Sequence, residues 1–189
     1  MYNVVLETMD NSTDGVTVKA YFVVAIIDLY KEKVSIYPIL ERIISEVDLS
    51  NPENMIPIAT YNKLCNWIEK KLGSSSVKIS GKSVGQAAYK GLIDNKMITA
   101  DDEPIKVMEA LVIFASMVIN DPKNRGWEIV ESKNKSIVMR RTQTFNSALQ
   151  FGVLEGLLHK CKGIYSPRIE LVKEVKNGDE FDEYLLTWS

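Results

Sequence analysis

Residues 144–161 read TFNSALQFGVLEGLLHKC, an apolar helical stretch with two glycines a turn apart, Gly152 and Gly156. A glycine inside a helix costs roughly 1 kcal/mol relative to alanine, so a pair of them needs a local reason. Close approach supplies one: without a side chain there, another backbone or a ligand can lie against the helix. Close packing is the default reading and cavity lining the alternative. The segments on either side have strand patterns. Upstream, GWEIVES (126–132) and SIVMRR (136–141) flank a KNK turn at 133–135. Downstream, RIELVKEVK (168–176) and FDEYLLTW (181–188) flank NGD at 177–179, where Asn177-Gly178 is the strongest short hairpin signal in the chain. Residues 125–189 are therefore expected to form β-β-α-β-β. The four strands would make one antiparallel sheet with the 144–161 helix across one face.

Working back from that unit, the pattern becomes helical. IKVMEALVIFASMVI (105–119) follows Asp101, Asp102 and Pro104 and stops at Asn120-Asp121-Pro122. It is the most apolar helix of the chain. Ser83 or its neighbours start VGQAAYKGLI, and Ser74–Ser76 reads as a loop. Thr60 is the expected N-cap of YNKLCNWIEKKL, which ends at Gly73 and carries a stripe of Tyr61, Leu64, Cys65, Ile68 and Leu72. SNPENMIP (50–57) reads as a connection. Ile36–Val47, with Pro38 in its first turn, forms an amphipathic helix, and Val18–Tyr30 is apolar almost all round. NVVLET (3–8) has a strand-like composition, and residues 1–16 form an N-terminal strand or arm. The fold class is α+β in a single domain over 1–189, with a helical part at 17–121.

Composition narrows the function. The 189 residues are 46% apolar and 25% charged with a formal charge of −2, ordinary globular values without a basic footprint for nucleic acid. No apolar run reaches the 18 residues that a membrane span needs, and no secretory signal opens the sequence. Cys65 and Cys161 read as buried packing thiols in a reducing compartment, so a cytoplasmic location is expected. His159, the sole histidine, lies at a helix C-terminus beside Lys160, where a capping role is the simpler reading. Gly81-x-x-x-Gly85 lacks the Lys-Ser/Thr ending of a phosphate loop. Glu155 is the one charge in FGVLEGLL; if buried it needs a partner, for which Arg140 or Arg141 is available. No nucleophile–base pair is evident, so the chain is expected not to be an enzyme.

FGVLEGLL (151–158), the closing RIELVKEVKNGDEFDEYLLTW (168–188), and the pair YNKLCNWIEKKLG (61–73) with GKSVGQAAYKGL (81–92) carry a resemblance. Together they are similar to the superfamily joining three groups: haem nitric oxide/oxygen-binding (H-NOX) domains, 4-vinyl-reductase-type small-molecule-binding domains and TRAPP vesicle-tethering subunits. VKAYFVVAIIDLYKEK (18–33) resembles the opening H-NOX helix. The likeness covers 57–189, and 18–50 more loosely.

The resemblance implies a sensor or small-molecule-binding domain. Haem in the H-NOX branch needs a proximal histidine on the helix before the sheet and a Tyr-x-Ser-x-Arg motif for the propionates. Here that motif falls on Arg140, Thr142 and Thr144, and no histidine lies between Ala100 and Arg141. The expectation is a pocket without haem, and no cofactor. It would hold a small apolar or amphipathic ligand between the 105–119 helix, the sheet and the 144–161 helix, lined by Val112, Phe114, Ala115, Met139, Leu149, Phe151 and Leu154 with Glu155 as polar anchor. Two alternatives stand beside it: a ligand-free TRAPP-like homodimer joined through the 18–30 and 57–72 helices, and a haem-based gas sensor, which the missing histidine disfavours.

Overall fold

A three-stranded sheet ties the beginning, middle and end of the helical part together in the computed structural model, which describes residues 12–30, 37–143 and 145–189. Strand β1 (Thr17–Lys19) lies between β2 (Met55–Pro57) and β3 (Ile119–Asn120), antiparallel to both, with Val18 opposite Ile56 and Ile119. None of these strands was expected, because two or three residues are too few to show an alternating pattern. The expected helix at 18–30 is accordingly shorter: α1 spans Ala20–Tyr30. The candidate strand at 3–8 and the predicted helix start at Ile36 lie outside the described residues.

Four further helices precede the C-terminal unit. Helix α2 (Pro38–Ser45) opens on its proline, and α3 (Ile58–Leu72) follows β2 directly. Thr60 is therefore inside α3 rather than its cap. The N–H of Ile58 is instead satisfied by the carbonyl of Val16 at 3.0 Å. At Gly73 the chain turns with φ +88° and helix α4 (Ser74–Asp94) begins at once. The serines expected to form a loop are its first turn, and VGQAAYKGLI is its second half. Serine tolerates a helix when its hydroxyl bonds back to a carbonyl, as Ser76 does to Leu72 (2.9 Å) and Ser80 to Ser76 (3.0 Å). Helix α5 (Pro104–Val118) starts at its proline and runs into β3.

The C-terminal unit follows the expected order. Strands β4 (Trp127–Lys133) and β5 (Ser136–Arg141) form a hairpin, α6 (Ser147–Leu158) crosses, and β6 (Arg168–Lys173) and β7 (Asp182–Thr187) close the sheet in the spatial order β4-β5-β7-β6. All neighbours are antiparallel. Asn146 caps α6, its side-chain oxygen accepting from the Leu149 N–H at 3.0 Å. The last hairpin does not turn tightly at Asn177-Gly178. Residues 174–181 form a wider connection, in which a 3₁₀ turn (Val175–Asn177) ends at Gly178 with φ +98° and the Glu174 N–H donates to Asp179.

Helix α6 is held between the sheet and α4, and the contact with α4 is backbone on backbone. A Cβ on Gly85 would lie 2.2 Å from the Val153 carbonyl oxygen, and one on Gly156 2.3 Å from that of Lys82. Two glycine pairs, Gly81/Gly85 and Gly152/Gly156, thus face each other across the helices. Of the two readings of Gly152 and Gly156, close packing is the one realised. A single hydrophobic core runs from Phe22 and Ile26 on α1 through Leu64 and Ile68 on α3 to Leu154, Tyr184 and Leu186.

Candidate ligand cavity

A cavity of about 50 Å³ remains where the helical part meets the sheet. Its walls are Val18 on β1, Phe22 on α1, Tyr61 on α3, Val84 and Ala88 on α4, and Leu111, Phe114, Ala115 and Val118 on α5. Trp127, Arg141, Phe145, Gln150 and Val153 close it from the C-terminal unit. Helices α4, α5 and α6 each contribute residues three or four apart, which places them on one face of the helix, while α1 and α3 contribute one residue each. The enclosure is apolar, with few polar groups, as small-molecule pockets usually are.

One of those polar groups is a charge. Arg141 is only 3% exposed, because β5 alternates: Ile137, Met139 and Arg141 share its core face, and the strand ends with the arginine pointing inward. Its guanidinium lies over the Phe145 ring at 4.4 Å and the Trp127 ring at 4.9 Å. Nη2 donates to the side-chain oxygen of Gln143, while Nε and Nη1 have no acceptor among the described residues. Burial, partly countered by Tyr184, Tyr61 and Asp121, makes its charged form less favourable than in water and lowers its pKa.

Two nearby carboxylates are engaged elsewhere. Asp121 accepts from Arg125 Nε, Gln143 Nε2 and the Lys123 N–H, each at 2.9 Å. Asp182, opposite Arg141 in the sheet, accepts from the Ser147 hydroxyl (2.8 Å) and the Val175 N–H (2.9 Å). Arg141 also borders a second, outer recess of about 260 Å³, formed with Thr142, Phe145, Val175 and Phe181 and carrying the charged groups of Lys176, Glu180 and Asp182. Arg141 thus lines both the inner cavity and the outer recess.

The sequence-derived pocket residues distribute unevenly around this space. Phe114 and Ala115 border the cavity. Met139, Leu149 and Leu154 are fully buried in the core but do not border it, and α6 presents Gln150 and Val153 there instead. Val112 packs against the core from a partly buried position. Phe151 faces an open cleft near α3 and β6, with the Lys78 ammonium 4.0 Å from its ring centre.

Glu155 does not anchor anything in the cavity: it pairs with Lys82 at 3.1 Å and with His159 at 3.2 Å, at the edge of the α4–α6 contact. Neither expected arginine reaches it. Arg140 points to the opposite sheet face and binds Glu183 at 2.8 Å, and Arg141 turns inward. Arg141 is the residue whose role as a cavity wall was missed. Its signal was present, since the alternation that buries Ile137 and Met139 extends to it.

No protein-family model matches the chain, and no curated protein resembles it in sequence. Solved structures do resemble it in shape. An H-NOX protein from Shewanella oneidensis in the Fe(II)NO state superposes with a TM-score of 0.66 at 10% identity, covering 90% of this chain and 99% of that one. An Fe(II) unliganded H-NOX protein from K. algicida gives 0.59 at 13% identity, covering 90% and 96%. The chain has the H-NOX fold.

The H-NOX fold raises the question of haem, and the donor set answers poorly. Among the described residues no imidazole or thiol borders the cavity, and α5 presents Leu111, Phe114, Ala115 and Val118 to it. Tyr61 is the one described wall residue whose side chain could become an oxyanion ligand, but burial, with Cys65 nearby, drives its phenol well above the ordinary pKa and keeps it neutral. Thr142, at the middle position of the propionate motif, exchanges hydrogen bonds with Gly126 instead. The residues present do not fit a haem iron. Among the described residues no cluster of His, Cys, Asp and Glu could hold another metal, and no helix is long and apolar enough to cross a membrane.

Proposed function

We propose that this chain is a non-enzymatic sensor domain that binds a small apolar or amphipathic molecule in the central cavity, without haem. The observation that carries this reading is the cavity itself. It lies at the junction of helical part and sheet, walled by apolar side chains from both, and the residues α5 presents to it, Leu111, Phe114, Ala115 and Val118, include no iron ligand. A ligand there would touch α1, α3, α5 and the sheet together, so occupancy can bias their relative packing, which is what a sensor requires. The non-enzymatic part is supported by the buried acids, which are tied into ion pairs or hydrogen bonds, as Asp121 and Glu183 are.

Haem titration followed by absorption spectroscopy tests the haem-free reading. No Soret band that resists gel filtration is expected, and a stable Soret band with axial-ligand features would overturn it. Native mass spectrometry of the purified chain tests ligand binding, and copurified small-molecule mass is the expected result. The homodimer alternative has less support. The apolar residues that suggested it, Phe22, Val23 and Ile26 on α1 and Leu64, Cys65 and Ile68 on α3, are buried within the chain's own core.

A further inference from the structure

We propose that Arg141 makes the central cavity a site for a monocarboxylate with a short apolar body. The assignment rests on the small-molecule-binding reading above and names its ligand class. A cation nine-tenths buried and held by a single hydrogen bond to a neutral amide is an unbalanced arrangement. Among the described residues two of its three guanidinium nitrogens have no acceptor, and two carboxylates near it, Asp121 and Asp182, already accept from other donors. The Trp127 and Phe145 ring centres lie 4.9 and 4.4 Å from the guanidinium carbon and the rings offer it no acceptor atom, and the guanidinium's unmet hydrogen-bonding capacity lies in the plane of its N–H groups. An incoming oxyanion would supply both the missing acceptors and the missing countercharge.

Charge and size select the rest of the ligand. One guanidinium balances one negative charge, and no second cation among the described residues borders the inner cavity, which argues against a dianionic phosphate group. Beyond Arg141 the walls are Val18, Phe22, Leu111, Phe114, Val118 and Val153, which offer an alkyl chain nothing but apolar contact. A space of 50 Å³ accommodates roughly four non-hydrogen atoms, taking 10–15 Å³ of this kind of volume for each water-sized group. That is the size of an acetate- or propionate-like molecule, with four and five non-hydrogen atoms. The outer recess, which shares Arg141 with the cavity, gives the carboxylate a side from which to approach.

Isothermal titration of the full chain, with Trp127 fluorescence as second readout, tests this using sodium salts of a series from acetate to octanoate, 1-propanol as neutral analogue and inorganic phosphate. Saturable binding is expected to peak at roughly two to three carbons. Propionate should bind at least about tenfold more tightly than propanol, a difference of about 1.4 kcal/mol. Arg141→Met should lose that preference while Arg141→Lys keeps part of it, each variant confirmed as folded by circular dichroism. Equal binding of propionate and propanol by the wild-type chain would overturn the carboxylate assignment and leave the cavity reading standing. So would propionate binding unaffected in Arg141→Met, or phosphate binding as tightly as propionate. A failure of every probe, neutral or anionic, would remove the cavity reading as well. A preference rising steadily to octanoate would instead mark a fatty-acyl source and overturn the short-body assignment.

Discussion

Gly81 and Gly152 meet without side chains between them: a Cβ on Gly152 would stand 2.9 Å from the Gly81 Cα and 2.1 Å from the Lys78 carbonyl oxygen. The reverse holds too, since a Cβ on Gly81 would stand 2.1 Å from the Leu149 oxygen. What blocks a methyl group here is main chain, which cannot turn aside as a side chain can.

Gly152→Ala should therefore destabilise the fold by about 2 kcal/mol net. Against backbone, overpacking takes the upper end of its range, about 3 kcal/mol, offset by a gain of about 1 kcal/mol in helix propensity. Urea denaturation compared with wild type measures it. A variant as stable as wild type would mean that α4 and α6 separate freely.

Gly91→Ala is the informative contrast. Its Cβ would lie 2.6 Å from Phe114 Cζ, the tip of a ring that borders the cavity and has space behind it. The ring can yield into the cavity, so the cost should largely cancel the helix gain and leave stability within about 1 kcal/mol of wild type. The cavity should shrink. Uptake of 1-propanol, followed by titration, should fall in this variant while the melting temperature barely moves.

Acid should weaken the protein through two buried carboxylates. At Glu183 burial acts to raise the pKa, but hydrogen bonds from Arg140 (2.9 Å) and Lys173 outweigh it and hold the group below its ordinary 4.5. Asp121 follows the same pattern: burial opposes, and Arg125, Gln143 and the Lys123 N–H prevail, holding it below 3.8. A carboxyl whose pKa is lowered on folding stabilises fully above its unfolded value and loses that contribution as pH falls through its folded value. Stability should thus hold steady from pH 7 to 5 and drop below about pH 4.5. Glu183→Gln should cost about 1–2 kcal/mol at pH 7, less than a fully buried pair because Arg140 and Lys173 are partly exposed, and should flatten the acid limb. Urea midpoints at pH 7, 5 and 3.5 measure both effects.

The thiols should be inert until the chain unfolds. Burial, with Glu69 nearby, pushes the Cys65 thiol far up, and burial alone pushes Cys161 up to about 11. With so little thiolate at pH 8, both should react with a thiol-disulfide reagent at least about 100-fold more slowly than in urea. Fast labelling of one equivalent in the native protein would show that α3, which carries Cys65, or the turn after α6, which carries Cys161, opens readily.

Much of the architecture could be read from residue patterns alone. The C-terminal strands are six or seven residues long and α5 is fifteen, lengths over which a period of 2 or 3.6 repeats often enough to be recognised. The three-stranded sheet could not be read, since Thr17–Lys19, Met55–Pro57 and Ile119–Asn120 each show at most one repeat and acquire meaning only as partners. Ser74–Ser76 misled for a related reason: serine favours loops by default, and the preference is reversed where the hydroxyls find carbonyls, Ser76 that of Leu72 at the end of α3 and Ser80 that of Ser76 in α4.

By itself, the order of residues determined the β-β-α-β-β unit, the glycine pairs and the absence of a histidine on α5, because each depends only on local spacing. Tertiary structure decided which backbone those glycines meet, which arginine turns inward and which α6 residues reach the cavity. These depend on strand register and helix rotation, quantities fixed by contacts between segments far apart in the chain. Arg140 and Arg141 are chemically identical neighbours in the sequence. A strand has two faces, and folding put one arginine on a carboxylate and the other against a cavity.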